Sequence, residues 1–237
     1  MSPSTSEKLD KELLLKVATI GSTSILITDV TGKQISLEFS TITGNHPPKN
    51  GNVVYLWQAG DNTIPWAQEA KFSQSITVDN PQGDISFDGL EIGLQSYVIG
   101  YAVGPLVTTP PFSAYANVVA SAFVPAAGTD YEYGSPTIAT KRIGANSLTI
   151  DYTFLNGFNA SSAGAWCGMW EGPTTSWTAQ PKWRTQIKDP SNAGVATFNG
   201  VTLLRGTTYS VGLYPTGWVA TGNLPLTRLC SFVTFKV

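Results

Sequence analysis

The chain repeats itself. The stretch from Trp66 to Ile76 aligns with the stretch from Trp177 to Ile187 at an offset of 111, placing Lys71 over Lys182 and Phe72 over Trp183. That offset holds through Gly83/Gly194, Phe87/Phe198 and Gly89/Gly200. Upstream it becomes 113, pairing Ile35/Leu148, Leu37/Ile150, Phe39/Tyr152, Gly44/Gly157, Gly51/Gly164 and Trp57/Trp170. Further on, Tyr97 meets Tyr209 and Gly100 meets Gly212. A duplicated unit of this length is a small domain made twice. The boundaries read as an N-terminal arm 1–21, a first repeat 22–124, a linker 125–134 and a second repeat 135–237.

Within each repeat the apolar residues alternate. Ile35, Leu37 and Phe39 are separated by Ser36 and Glu38, and Leu148, Ile150 and Tyr152 by Thr149 and Asp151. That period of two marks a strand buried on one face. Turn residues interrupt such runs every 8–12 residues or so, the spacing of a sandwich or barrel. The expected fold is therefore all-β, two tandem β-sandwiches. Residues 6–18 alone suit a helix, with Ser6 as cap and Leu9, Leu13 and Val17 four apart; a strand over Leu13–Ile20 is the alternative.

The run Val30–Phe39 resembles the passage from strand A to strand B of fibronectin type III domains. Gly89–Val103 and Gly200–Leu213 are similar to the E–F corner of that family, where a tyrosine opens strand F. The resemblance covers both repeats. It implies an immunoglobulin-like Greek-key sandwich of seven strands, with the hydroxyls of Tyr97 and Tyr209 bonded to nearby backbone. One departure is the strand-B tryptophan, replaced by Phe39 and Tyr152, while Trp57 and Trp170 stand on strand C.

Charged residues are 13% of the chain, about half the usual fraction, and the net charge is −2. The surface must then be rich in hydroxyls and amides. Scattered Lys and Arg make no basic stripe, which argues against nucleic acid. No signal peptide is legible and no apolar run reaches the ~20 residues of a membrane span. The default location on this reading is the cytoplasm, unless a non-classical export route exists. Cys167 and Cys230 fall at positions aligned with Val54 and Val118, so they read as buried free thiols, with a disulfide as the alternative.

The sequence marks no catalytic signature. His46 is the only histidine, in a Pro-rich loop, and no nucleophile is marked beside it. Asp79, Asp84, Asp88 and Glu91 could hint at calcium, but their counterparts in the second repeat are not carboxylates, so solvated turns are the expectation. No metal and no cofactor is expected.

The aromatic residues invite more. If Val54, Leu56, Cys167 and Met169 face the core, then Trp57, Trp166 and Trp170 lie on the outer face of the sheet. There they either cover Gly100 and Gly212 or form an aromatic platform. Trp66, Lys71, Phe72, Trp177, Lys182 and Trp183 recur in the connection after strand C, and Trp218 follows strand F. These seven are the candidate ligand-binding residues, balanced between packing and contact. The function expected is a non-enzymatic protein that binds or assembles through protein–protein contacts, with itself as a homo-oligomer or in adhesion. The alternative is a lectin-like binder of neutral glycans with duplicated aromatic sites. The arm, carrying Leu9, Leu13, Leu14, Leu15 and Val17, is expected to help the assembly.

Overall fold

A computed structural model describes residues 21–108 and 113–237. The arm and its expected helix lie outside the described residues. The first repeat holds β1 (Ser24–Val30), β2 (Gln34–Ser40), β3 (Val53–Gln58), β4 (Phe72–Ser75), β5 (Gln82–Asp88), β6 (Tyr97–Ala102) and β7 (Val118–Val124). After β8 (Glu132–Gly134), the second holds β9 (Thr137–Ile143), β10 (Ser147–Thr153), β11 (Trp166–Glu171), β12 (Trp183–Gln186), β13 (Ala193–Asn199), β14 (Thr208–Tyr214) and β15 (Ser231–Lys236). The one helical element among the described residues is a 3-10 turn, Leu226–Arg228; no described helix is long and apolar enough to cross a membrane.

Each repeat is a seven-stranded sandwich, fibronectin type III-like in strand order. A three-stranded sheet β1-β2-β5 faces a sheet ordered β4-β3-β6-β7, and β9-β10-β13 faces β12-β11-β14-β15 in the same way. All these neighbours run antiparallel. The alternating residues supply the core as expected: Ile35, Leu37, Phe39, Val54, Leu56, Ile99 and Tyr101 in one repeat, Leu148, Ile150, Tyr152, Cys167, Met169, Val211 and Leu213 in the other.

The tyrosine corners form in both units. Tyr97 Oη accepts from the Glu91 N–H at 3.1 Å and Tyr209 Oη from the Leu204 N–H at 2.8 Å, with both rings fully buried. The hydrogen bond satisfies a phenol that could not otherwise be buried cheaply. Cys167 and Cys230 are free and buried. The alignment of Cys230 needs one correction. Leu213 faces Ser231, and its counterpart Tyr101 faces Ala120, so Cys230 takes the place of core Val119 rather than Val118. A register shift between Tyr101 and Ala102 moves the first repeat's last strand by one residue.

The segment 125–134 contributes structure of its own. β8 turns back along β7, with Gly134 opposite Ser121 and Glu132 opposite Phe123, as a fifth strand of that sheet. The start of the first repeat does the equivalent at the other end. Gly21 and Thr23 bond to the second repeat, Phe232 N–H to Gly21 O at 2.7 Å and Thr23 N–H to Cys230 O at 2.9 Å. Each repeat is thus entered along the last strand of the other.

Candidate functional site: the reciprocal contact between the repeats

The outer face of each larger sheet carries the strand-C tryptophans. They point away from the core as alternation requires, yet solvent does not reach them: Trp57 is 2%, Trp166 0% and Trp170 7% exposed. An open aromatic platform is therefore not what they make. Trp57 lies in a second apolar cluster with Tyr55, Ile64, Val98, Tyr115 and Val118, and Trp166 and Trp170 lie in a third with Tyr214, Leu224 and Leu229. Gly100 makes room for this: a Cβ there would sit 2.7 Å from Val118 Cγ1 and 3.1 Å from the Trp57 ring. In the second repeat it is Gly168, not Gly212, that lies under the Trp170 ring, at 2.9 Å from a built Cβ. Trp166 instead stacks on Tyr214, centroids 3.8 Å apart.

The cover over each cluster is the loop after strand C. Trp57 Nε1 donates to Gln68 O at 3.1 Å, and Trp170 Nε1 to Ala179 O at 2.8 Å. Gln68 and Ala179 are themselves repeat partners. The recurring tryptophan of strand C is thus the pin that folds its own loop back onto the sheet, and burial of its ring makes the loop a wall of the cluster.

At the tip of that loop stand Trp66 and Trp177, and each reaches the other repeat. Trp66 Nε1 donates to Asn156 O at 3.2 Å, and its ring meets Phe158 edge-on at 5.3 Å. Trp177 Nε1 donates to Thr43 O at 3.1 Å. Asn156 and Thr43 are repeat partners too. Beside them, Gly157 (φ +72°) and Gly44 (φ +86°) lie under the indoles, with built Cβ atoms 3.2 and 2.8 Å from the Trp66 and Trp177 Nε1. A side chain there would meet both left-handed strain and the indole. The preceding residues complete the exchange: Leu155 of the second repeat enters the first repeat's outer cluster, and Ile42 of the first enters the second's. The contact is a pseudo-two-fold, self-complementary docking, in which each surface is used once by each repeat.

Lys71, Phe72, Lys182 and Trp183 lie on the free edges of the larger sheets, and Trp218 packs against the outer cluster of the second repeat. Lys71 Nζ sits 5.9 Å from the Phe72 centroid and 5.8 Å from that of Tyr97. Lys182 Nζ sits 4.6 Å over Trp183 and pairs with Glu171. Arg184, 5.9 Å from the Trp218 ring, donates to Gly222 O and Ala220 O and so holds the Trp218 loop. Phe72, Trp183 and Trp218 are half-buried. The seven residues are therefore not one cleft: Trp66 and Trp177 face the neighbouring repeat, two Lys–aromatic pairs begin β4 and β12, and Trp218 stands apart with Arg184.

The titratable groups follow from burial. Desolvation raises both thiols, and it pushes Tyr55 up to about 12, with Tyr115 adding to the rise. His46 is exposed and meets Asp79 at 2.9 Å. Asp84, Asp88 and Glu91 are exposed as well, and the described residues hold no cluster of three or more candidate metal ligands.

No protein-family model matches the chain, and no curated protein matches it. Among solved structures it is similar to the central fibronectin-III array of RIM-binding protein, at 10% identity over 92% of this chain and 69% of that one, with a TM-score of 0.30. It is also similar to the FN1–FN3 domains of chicken CNTN1, at 12% identity over 91% of this chain and 64% of that one, with a TM-score of 0.28. The fibronectin type III-like description rests on the strand order and the tyrosine corners of the chain itself.

Proposed function

We propose that this chain is a non-enzymatic binding or assembly protein that works through protein–protein contacts, with further copies of itself as the first partner. The observation that carries the reading is the reciprocal docking of the repeats. Two copies of one sandwich already recognise each other here by aromatic anchors, a close backbone approach and exchanged Leu155 and Ile42, which is how a protein interface is built. Trp183, Lys71, Phe72 and Lys182 on the free edges, and half-buried Trp218 beside the outer cluster of the second repeat, are the contact residues for a partner.

The test is the mass of the full-length protein by light scattering over a wide concentration range, run beside a glycan array. Mass rising with concentration, without glycan signal, supports the reading. A monomer at every concentration that binds glycans overturns it in favour of a lectin-like protein.

A further inference from the structure

The docking of the repeats uses the outer faces and last strands of the larger sheets. Among the described residues, it leaves bare the outer faces of the two three-stranded sheets. Their cross-strand rows can be compared position by position, because the register is the same in both repeats.

On β1-β2-β5 the outward rows are Ser24–Ser40–Gln82, Leu26–Glu38–Asp84, Asp29–Ser36–Ser86 and Gln34–Asp88. These rows present Asp29, Glu38, Asp84 and Asp88, with no cation among them. Glu38 and Asp84 stand directly opposite one another, a like-charge pair that costs stability when nothing neutralises it. Both line a shallow concavity of about 500 Å³ together with Leu26, which is 52% exposed.

On β9-β10-β13 the rows are Thr137–Thr153–Ala193, Ala139–Asp151–Val195, Arg142–Thr149–Thr197 and Ser147–Asn199. The carboxylates are largely gone. Arg142 stands where the first repeat has Asp29, Val195 where it has Asp84, and Asn199 where it has Asp88. Lys141 joins Arg142 at the edge and bonds Asp151 at 2.9 Å. Val195, in the outward row with Asp151, is 49% exposed. Duplicated faces of one shape thus carry opposite charge, with an exposed apolar residue on each.

We infer that the acidic β1-β2-β5 face of one chain docks on the basic β9-β10-β13 face of a second copy. Arg142, together with Lys141 on exchanging Asp151 for the new partner, neutralises the Glu38–Asp84 pair, Leu26 meets Val195, and the hydroxyl rows lie against each other. Because the two faces of one chain are different surfaces, the contact is head-to-tail and propagates into chains rather than stopping at a dimer. Three strands about 4.8 Å apart and seven residues long cover roughly 330 Å² per side, below the size of stable complexes. The association is therefore weak, concentration-dependent and reduced by salt. This rests on the self-assembly reading above.

Sedimentation velocity of the full chain tests it, at low salt and at 0.5 M NaCl. Wild type should show mass rising with concentration at low salt and falling back in high salt. Glu38→Lys with Asp84→Lys should remain monomeric, and so should Lys141→Glu with Arg142→Glu, each with an unchanged circular dichroism spectrum. Mixing the two double variants at equal amounts should restore the association, since each supplies the face that the other reversed. Assembly that persists in both variants, or a mixture that stays monomeric, overturns the face assignment alone. A wild type that is monomeric at every concentration overturns the self-assembly reading with it.

Discussion

Leu155→Ala separates a reciprocal docking from two independent sandwiches. Leu155 belongs to the second repeat, but its side chain, 5% exposed, is packed among Trp57, Ile64 and Phe123 of the first. Truncating a buried leucine costs about 2–5 kcal/mol, depending on how far the surroundings collapse. This site lies between two units that can move together slightly, so the lower end applies, about 2–3 kcal/mol. The loss should be read by urea denaturation and located by amide hydrogen exchange. Protection should fall in β3, β6, β7 and β8, on the opposite repeat from the substitution. Ile42→Ala should show the mirror image, with protection lost in β11, β14 and β15, because Ile42 packs near Trp166 and Leu229. If either change costs under about 0.5 kcal/mol, or if the exchange effect stays within the mutated repeat, the docking argument fails.

Tyr97→Phe and Tyr209→Phe should each lower stability by about 1 kcal/mol in chemical denaturation, the net worth of a buried hydrogen bond; no loss in either would remove the corner assignment. Gly100→Ala should cost about 1–3 kcal/mol by the same assay, because its methyl meets Val118 and Trp57 with no space to yield; a neutral result would contradict the packing on that face. Cys167 and Cys230 should be silent to a thiol reagent in the native protein and both react after unfolding; none reacting after unfolding would mean a disulfide. Burial raises these thiols and Tyr55 in the folded state, so the unfolded chain releases its protons first. Their contribution is full below the unfolded-state values and is lost as pH rises, so the denaturation midpoint should fall above about pH 8.5, the ordinary thiol value. A flat profile from pH 8 to 11 would contradict that burial.

Alternation and repeat spacing made the sandwiches, the inward faces and the corner tyrosines legible, because each of these is a local pattern with a fixed period. The role of Trp66 and Trp177 was not. Within its own repeat each looks like a loop tryptophan, and nothing in the order of residues says that Trp66 meets Gly157 while Trp177 meets Gly44. The recurrence of all four was visible; the crossing of the pairs is a tertiary fact. Alternation puts Trp57, Trp166 and Trp170 on the outer face, where they lie, but the loops that bury them are irregular and have no period to read. The slip of Cys230 from Val118 to Val119 arose at a register shift, where one extra residue leaves the sequence alignment unchanged to the eye and moves the strand. The charge inversion between Asp29 and Arg142 needed the register before it meant anything.

Small-angle X-ray scattering, extrapolated to infinite dilution so that only single chains contribute, tests the reciprocal docking most directly. A compact chain of 237 residues has a radius of gyration of about 18 Å. Two separate sandwiches of about 13 Å each, held end to end with centres roughly 40 Å apart, would give about 24 Å. The account predicts a value within about 2 Å of the compact figure, in a single-peaked distance distribution. A value near the extended figure, with a second peak at the separation of two domains, would contradict it.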